Sequence, residues 1–135
     1  MPAQRAVPVL RVIDVGRSLA WYREVLGFVG DPFPDKAPYR FAILRHGSAE
    51  LMLRAAAPQG PPVRASYDWD VYLRLEGEPM RDLCARLAAR GVVTRRLERM
   101  PYGVAEFEIT DPDGYTLCLA QVLQEGDEDL PTPEG

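Results

Sequence analysis

Residues 104–121 read VAEFEITDPDGYTLCLAQ, two alternating runs around an Asp-Pro-Asp-Gly centre, and the register of these runs decides which side chains the fold brings together. Asp111-Pro112-Asp113-Gly114 joins a proline of fixed φ to a glycine free to take positive φ, which is a strong turn signal. A type I turn with Gly114 as a bulge pairs Asp111 with Tyr115. Glu108 then stands opposite Cys118, and Phe107 opposite Leu119. One face of the hairpin gathers Phe107, Ile109, Leu117 and Leu119 for packing under helices. The other gathers Glu106, Glu108, Thr116 and Cys118. A two-residue turn would slip the pairing by one and send both glutamates into the core at severe desolvation cost. The first register is therefore the expected one.

Outward from this hairpin, Val92 to Leu97 has strand composition. Before it, Met80, Leu83, Cys84, Leu87 and Ala88 form the apolar stripe of a helix that Pro79 opens and Gly91 closes. Asp70 to Leu75 precedes that helix as a strand. Ala56 to Ser66, with Pro58, Gly60, Pro61 and Pro62, reads as a linker. On its other side the same order is found. Val7 to Val12 is a strand, with Pro8 suited to its start. Asp14 is a helix N-cap before a stripe of Val15, Leu19, Tyr22 and Leu26, and Gly27 ends the helix. Phe28 and Val29 begin a short strand, and Asp31 to Pro38, with three prolines, reads as a loop. Tyr39 to Arg45 and Glu50 to Ala55 are strands joined at His46-Gly47-Ser48. The expectation is an α+β fold of two βαβββ modules forming a cupped mixed sheet with helices on its outer face. One domain would cover residues 1–122, with modules at about 5–57 and 68–122 and a Pro-rich joint at 58–66. Residues 123–135 read as an acidic, disordered tail.

Composition narrows the function classes. The 135 residues carry 47% hydrophobic side chains, 27% charged ones and a net charge of −4. Glu125, Asp127, Glu128, Asp129 and Glu134 all fall in the acidic tail, so the body is close to neutral. No basic block offers a phosphate-binding surface, which disfavours nucleic acid. No run approaches the roughly 18 apolar residues of a membrane span. Cys84 and Cys118, the only cysteines, suit a reducing compartment, and the N-terminus leads into a strand rather than a signal-peptide core. Both point to a cytoplasmic protein.

Three stretches carry a family resemblance. The first is Leu10-Arg11-Val12-Ile13-Asp14 with Ser18-Leu19-Ala20-Trp21-Tyr22-Arg23 and Leu26-Gly27-Phe28. The second is Ala49-Glu50-Leu51-Met52-Leu53. The third is Tyr102-Gly103-Val104 with Phe107 and Asp111-Pro112-Asp113-Gly114-Tyr115. Together they resemble the vicinal oxygen chelate superfamily, which includes glyoxalase I, bleomycin resistance proteins and extradiol dioxygenases. In its metalloenzymes the resemblance implies four cup-facing ligands, here falling on Val7, Met52, Asp70 and Cys118. Val7 offers no donor atom and Met52 only a thioether, so this set does not suit a divalent cation. His46, the only histidine, lies in a turn. The resemblance therefore points to the metal-free branch, whose members bind and sequester glycopeptide antibiotics as homodimers, often with exchanged N-terminal strands. No cofactor, metal ligand or catalytic residue is assigned.

Strand alternation names the candidate binding residues. Val7, Val9 and Arg11 share the cup face of the first strand, Glu50, Met52 and Arg54 that of the fourth, and Asp70, Tyr72 and Arg74 that of the fifth. With Glu106, Glu108 and Cys118, and with Trp69 and Tyr102 at the rim, they form an apolar site holding several charges. Its carboxylates favour a cationic or amine-bearing small molecule. Three other readings stay open. Glu106 and Glu108 could instead pair with Arg11, Arg54 or Arg74. The chain could also be a divergent lyase, isomerase or dioxygenase, with an atypical metal site built from Asp70, Glu108 and Cys118 or with metal-free acid–base chemistry by Glu108, or a small-molecule sensor or partner-binding module with no resistance role.

Overall fold

The computed structural model describes residues 1–57 and 66–134. The expected linker falls almost wholly on residues 58–65, outside the described residues. The chain divides into two units, Met1–Pro61 and Pro62–Gly135. The first runs β1 (Val9–Val12), α1 (Val15–Leu26), β2 (Val29–Phe33), β3 (Phe41–His46) and β4 (Ala49–Ala55). The second runs β5 (Val71–Arg74), α2 (Met80–Ala89), β6 (Val93–Arg99), β7 (Val104–Thr110) and β8 (Thr116–Val122). Each unit builds a four-stranded mixed sheet, in the orders β1-β4-β3-β2 and β5-β8-β7-β6. The first strand of each is parallel to the last, and the remaining pairs are antiparallel. The α+β class and the repeated βαβββ order are thus as the sequence indicates.

Local chemistry sets the elements. Asp14 caps α1: its Oδ1 accepts the Arg17 backbone N–H at 3.0 Å, an interaction worth about 1 kcal/mol. Gly27, at φ 80°, ends the helix and donates to Arg23 O, while the Phe28 N–H returns to Tyr22 O at 3.1 Å. This is the left-handed close that glycine takes without strain. The buried stripe of α1 is Val15, Ser18, Leu19 and Tyr22, and the helix packs on β2, β3 and β4. Alternation holds in the strands: Leu10 and Val12, Leu51 and Leu53, Val71 and Leu73 are buried.

Two expectations are corrected. The segment Asp31 to Pro38 is not all loop, because β2 continues to Phe33, with Pro32 opposite Ala42. β2 is the outer strand of its sheet, where a residue without an N–H is tolerated. The C-terminal tail is not disordered through its length. Leu130 is buried, Pro131 O accepts the Arg99 N–H at 2.8 Å, and Arg81 pairs with Asp129. One buried leucine, one arginine paired with an acid and a strand amide bonded to the tail backbone supply what the composition of the segment alone does not reveal.

Candidate functional site

The β7–β8 hairpin has the expected register. Glu108 stands opposite Cys118 and Phe107 opposite Leu119. Asp111 Oδ1 accepts the backbone N–H groups of Asp113 and Tyr115 at 2.8 and 2.9 Å, and Gly114 takes φ 87°. The turn therefore delivers Glu106 and Glu108 to one face and the aliphatic residues to the other.

Next to this hairpin lies a feature the sequence did not disclose. β6 pairs with β7 through two register shifts, between Val93 and Arg95 and between Arg95 and Glu98. In a regular strand residues three apart point to opposite faces. Here the irregularity brings Arg95 and Glu98 to the same side as Glu106 and Glu108. Arg95 is the hub. Its Nε donates to Glu108 Oε2 at 2.6 Å, its Nη1 to Glu98 Oε1 at 2.5 Å, and its Nη2 to Glu106 Oε1 at 3.0 Å. All four residues are at most 7% exposed. The arginine partner of the two β7 glutamates is therefore Arg95, rather than Arg11, Arg54 or Arg74.

Four aromatic residues complete the shell. Tyr102 and Tyr72 hydroxyls donate to Glu106 at 2.7 and 3.1 Å. The Trp69 indole N–H donates to Glu108 Oε2 at 2.9 Å, and its ring lies 4.9 Å from that of Tyr72. Tyr67 donates its backbone N–H to Glu108 Oε2 and its hydroxyl to Glu98 Oε1, at 2.9 and 2.8 Å. The Arg95 guanidinium sits 4.2 Å from the centre of the Tyr67 ring. Tyr67, Trp69 and Tyr102 remain partly open to solvent. The arrangement is a sealed tier of charge under a reachable tier of rings. Three carboxylates face one buried guanidinium, so the tier is formally negative. Exposed Arg96, 3.5 Å from Glu98, offsets this only from the outside.

The titration of these groups follows from their partners. Burial pushes the Tyr72 and Tyr102 phenols up, and the charge and hydrogen bonding of Glu106 push them further. Burial also acts to raise the Glu98 carboxyl, but the donors Tyr67 and Arg95 outweigh it and hold the group below its ordinary value. Glu98 therefore contributes stability that is present above the unfolded carboxylate value and lost as pH falls through its lower folded value. The raised phenols act in the other sense: their contribution is present below about pH 10 and is lost as pH rises past it. The melting temperature should be highest between about pH 5 and pH 9 and fall on both sides. In Glu98→Gln the acid limb should become shallower than in wild type. Parallel acid limbs in the two proteins would show that Glu98 is not a source of the fall.

The other expected site residues are placed as follows. Asp70 Oδ2 accepts the Thr116 backbone N–H at 2.9 Å, tying the entry to β5 to the start of β8. Cys118 is buried; burial, and then the charge of Glu106, push its thiol far up, so it is a protonated core group rather than a nucleophile. In the first unit Glu50 pairs with Arg5 at 2.8 Å and lines an open groove with Gln4, Val7 and Arg45. Met52 is half-buried beside Val9. Arg11 and Arg54 are neighbours in the parallel β1–β4 register and are exposed. The four positions that the metalloenzyme pattern would use do not suit a metal ion. Val7 and Met52 bring no hard donor, and Asp70 is engaged by the Thr116 amide. Among the described residues, no group of three or more His, Cys, Asp or Glu side chains is placed to hold one.

Comparison with known proteins agrees with this architecture. The family model described as the Glyoxalase/Bleomycin resistance protein/Dioxygenase superfamily matches residues 5–119. Among solved structures, TioX from Micromonospora sp. ML1 aligns with a TM-score of 0.67 and 21% identity, over 90% of this chain and 98% of that one. A glyoxalase-related enzyme from Clostridium phytofermentans gives 0.70 and 18%, over 91% and 98%. Lactoylglutathione lyase from Agrobacterium tumefaciens gives 0.65 and 19%, over 89% and 95%. At these identities the likeness is one of fold. No curated protein matches the chain.

Proposed function

The chain belongs to the Glyoxalase/Bleomycin resistance protein/Dioxygenase superfamily, and within it we propose that this member is a non-enzymatic binding protein for a cationic or amine-bearing small molecule. The observation that carries the reading is the negatively charged Glu98–Glu106–Glu108 cluster around Arg95, roofed by Tyr67, Trp69, Tyr72 and Tyr102. A cation above such rings is attracted both by their faces and by the unbalanced carboxylates beneath, where low local dielectric strengthens the field. Function by affinity asks only for this charge and shape. Catalysis would ask for a group free to exchange a proton or attack a substrate. The buried Cys118 thiol and the multiply bonded Glu108 carboxylate are poorly suited to either. The glycopeptide antibiotics of the bleomycin class are one candidate ligand, being amine-bearing and large.

A thermal-shift screen of amine-containing antibiotics and metabolites tests the reading, since a ligand of the folded state raises the melting temperature. For a compound found this way, Glu108→Gln should weaken binding about 5- to 10-fold, as expected for losing one charge-assisted interaction. Prior treatment with a metal chelator should leave affinity unchanged. Unaltered affinity in Glu108→Gln, or binding lost with the chelator, would overturn the proposal.

A further inference from the structure

The residue that covers the charged cluster is held in an unfavourable conformation. Tyr67 has φ 71° and is the only non-glycine residue with positive φ among the described residues. That region is disfavoured for a bulky L-residue and persists where surrounding contacts over-determine it. Three contacts do so here, one from each part of the residue. The backbone N–H goes to Glu108, the hydroxyl to Glu98, and the ring to the face of the Arg95 guanidinium. Tyr67 is 43% exposed, whereas none of these three partners exceeds 7%.

The partners do not depend on Tyr67 for their own satisfaction. Glu108 Oε2 also accepts from Trp69 Nε1 and Arg95 Nε. Glu98 also accepts from Arg95 and faces Arg96. Withdrawing Tyr67 thus leaves no buried charge unpaired, the outcome that would make such a movement prohibitive. It also relaxes the backbone.

We propose that Tyr67 is an internal latch on the acidic cluster, and that an incoming organic cation displaces it, replacing the two Tyr67 donors on Glu98 and Glu108 with its own N–H groups. The second half of this statement rests on the cation-binding function proposed above. The first half is a property of the free protein. The ligand class it selects is a planar or aromatic cation with at least two N–H donors on one edge, because a flat ring can take the place of the phenol over Arg95 while the donors reach the two carboxylates.

Two measurements on the full chain separate the halves. The first is residue-resolved amide hydrogen exchange. The Tyr67 N–H should exchange through local opening, at least about 100-fold faster than buried strand amides such as that of Phe107. Exchange as slow as that of Phe107 overturns the latch, whatever binds. The second is titration with benzamidine, a flat aromatic cation with a two-nitrogen edge, against wild type, Tyr67→Phe and Tyr67→Gly. Tyr67→Phe loses the hydroxyl bond and should bind about 5-fold more tightly than wild type. Tyr67→Gly, which takes the same φ without strain, should bind at least as tightly as Tyr67→Phe. Weaker binding in both variants overturns displacement and makes Tyr67 a ligand contact. Rapid Tyr67 exchange with no benzamidine binding in any of the three supports the latch and counts against the cation-binding function.

Discussion

Arg95→Met is expected to destabilise the protein by about 3–5 kcal/mol, because it leaves buried carboxylates without their counter-charge. The guanidinium donates to Glu98, Glu106 and Glu108 at once, from three different nitrogens. Methionine fills much of the volume but returns none of these bonds. Glu98 and Glu106 also face each other across the β6–β7 pair, so with Arg95 gone two like charges are opposed in the same ladder. Chemical denaturation, read by circular dichroism, gives the magnitude. Arg95→Lys should fall between, since an ammonium keeps the charge but cannot present three planar donors in a fork. Adding Glu106→Gln to Arg95→Met should recover part of the loss, with a coupling of about 1–3 kcal/mol between the sites. A loss below about 0.5 kcal/mol in Arg95→Met, the usual range for surface substitutions, would mean that the cluster contributes charge to the surface and little to the fold.

Tyr22→Ala should have an effect of similar size through a different term. Tyr22 is fully buried in α1. Its ring meets Trp21 edge-on at 4.9 Å and Phe28 at 5.9 Å, and Phe28 in turn lies 5.4 Å from the His46 ring. These contacts join the helix to the strand end that follows it. Removing a buried aromatic side chain costs about 3–5 kcal/mol, from lost burial and from the cavity left behind. Tyr22→Phe keeps the ring and should cost far less, about 1 kcal/mol. The comparison of the two denaturation midpoints separates packing from the hydroxyl. Equal losses in both variants would assign the effect to the hydroxyl and leave the aromatic cluster without the role given to it.

Much of the architecture is legible in the sequence alone. Helix α1 carries its start at Asp14, its stop at Gly27 and its buried stripe between them, because caps and periodicity are local properties of the chain. The β7–β8 register followed from Asp111 to Gly114 together with the cost of burying two glutamates in an aliphatic layer. At Pro32 proline's local preference argues against a strand, but an outer strand has no second partner to lose. Leu130 is not legible as an anchor because its surroundings are acidic and proline-bearing, and composition averages over the one buried residue in the segment.

What the sequence determined by itself is the order of elements, the sheet faces and the presence of carboxylates on the non-aliphatic face of one hairpin. These depend on interactions between residues near in the chain, or on a side-chain period that is the same in every strand. What only the tertiary structure decided is the identity of the counter-charge and the covering ring. Arg95 and Glu98 share a face solely because two register shifts interrupt β6 against β7, and Tyr67 reaches them from 28 and 31 positions away in the chain only through a left-handed turn. Irregular pairing is a cooperative outcome of two strands and their neighbours, and no single strand's alternation encodes it.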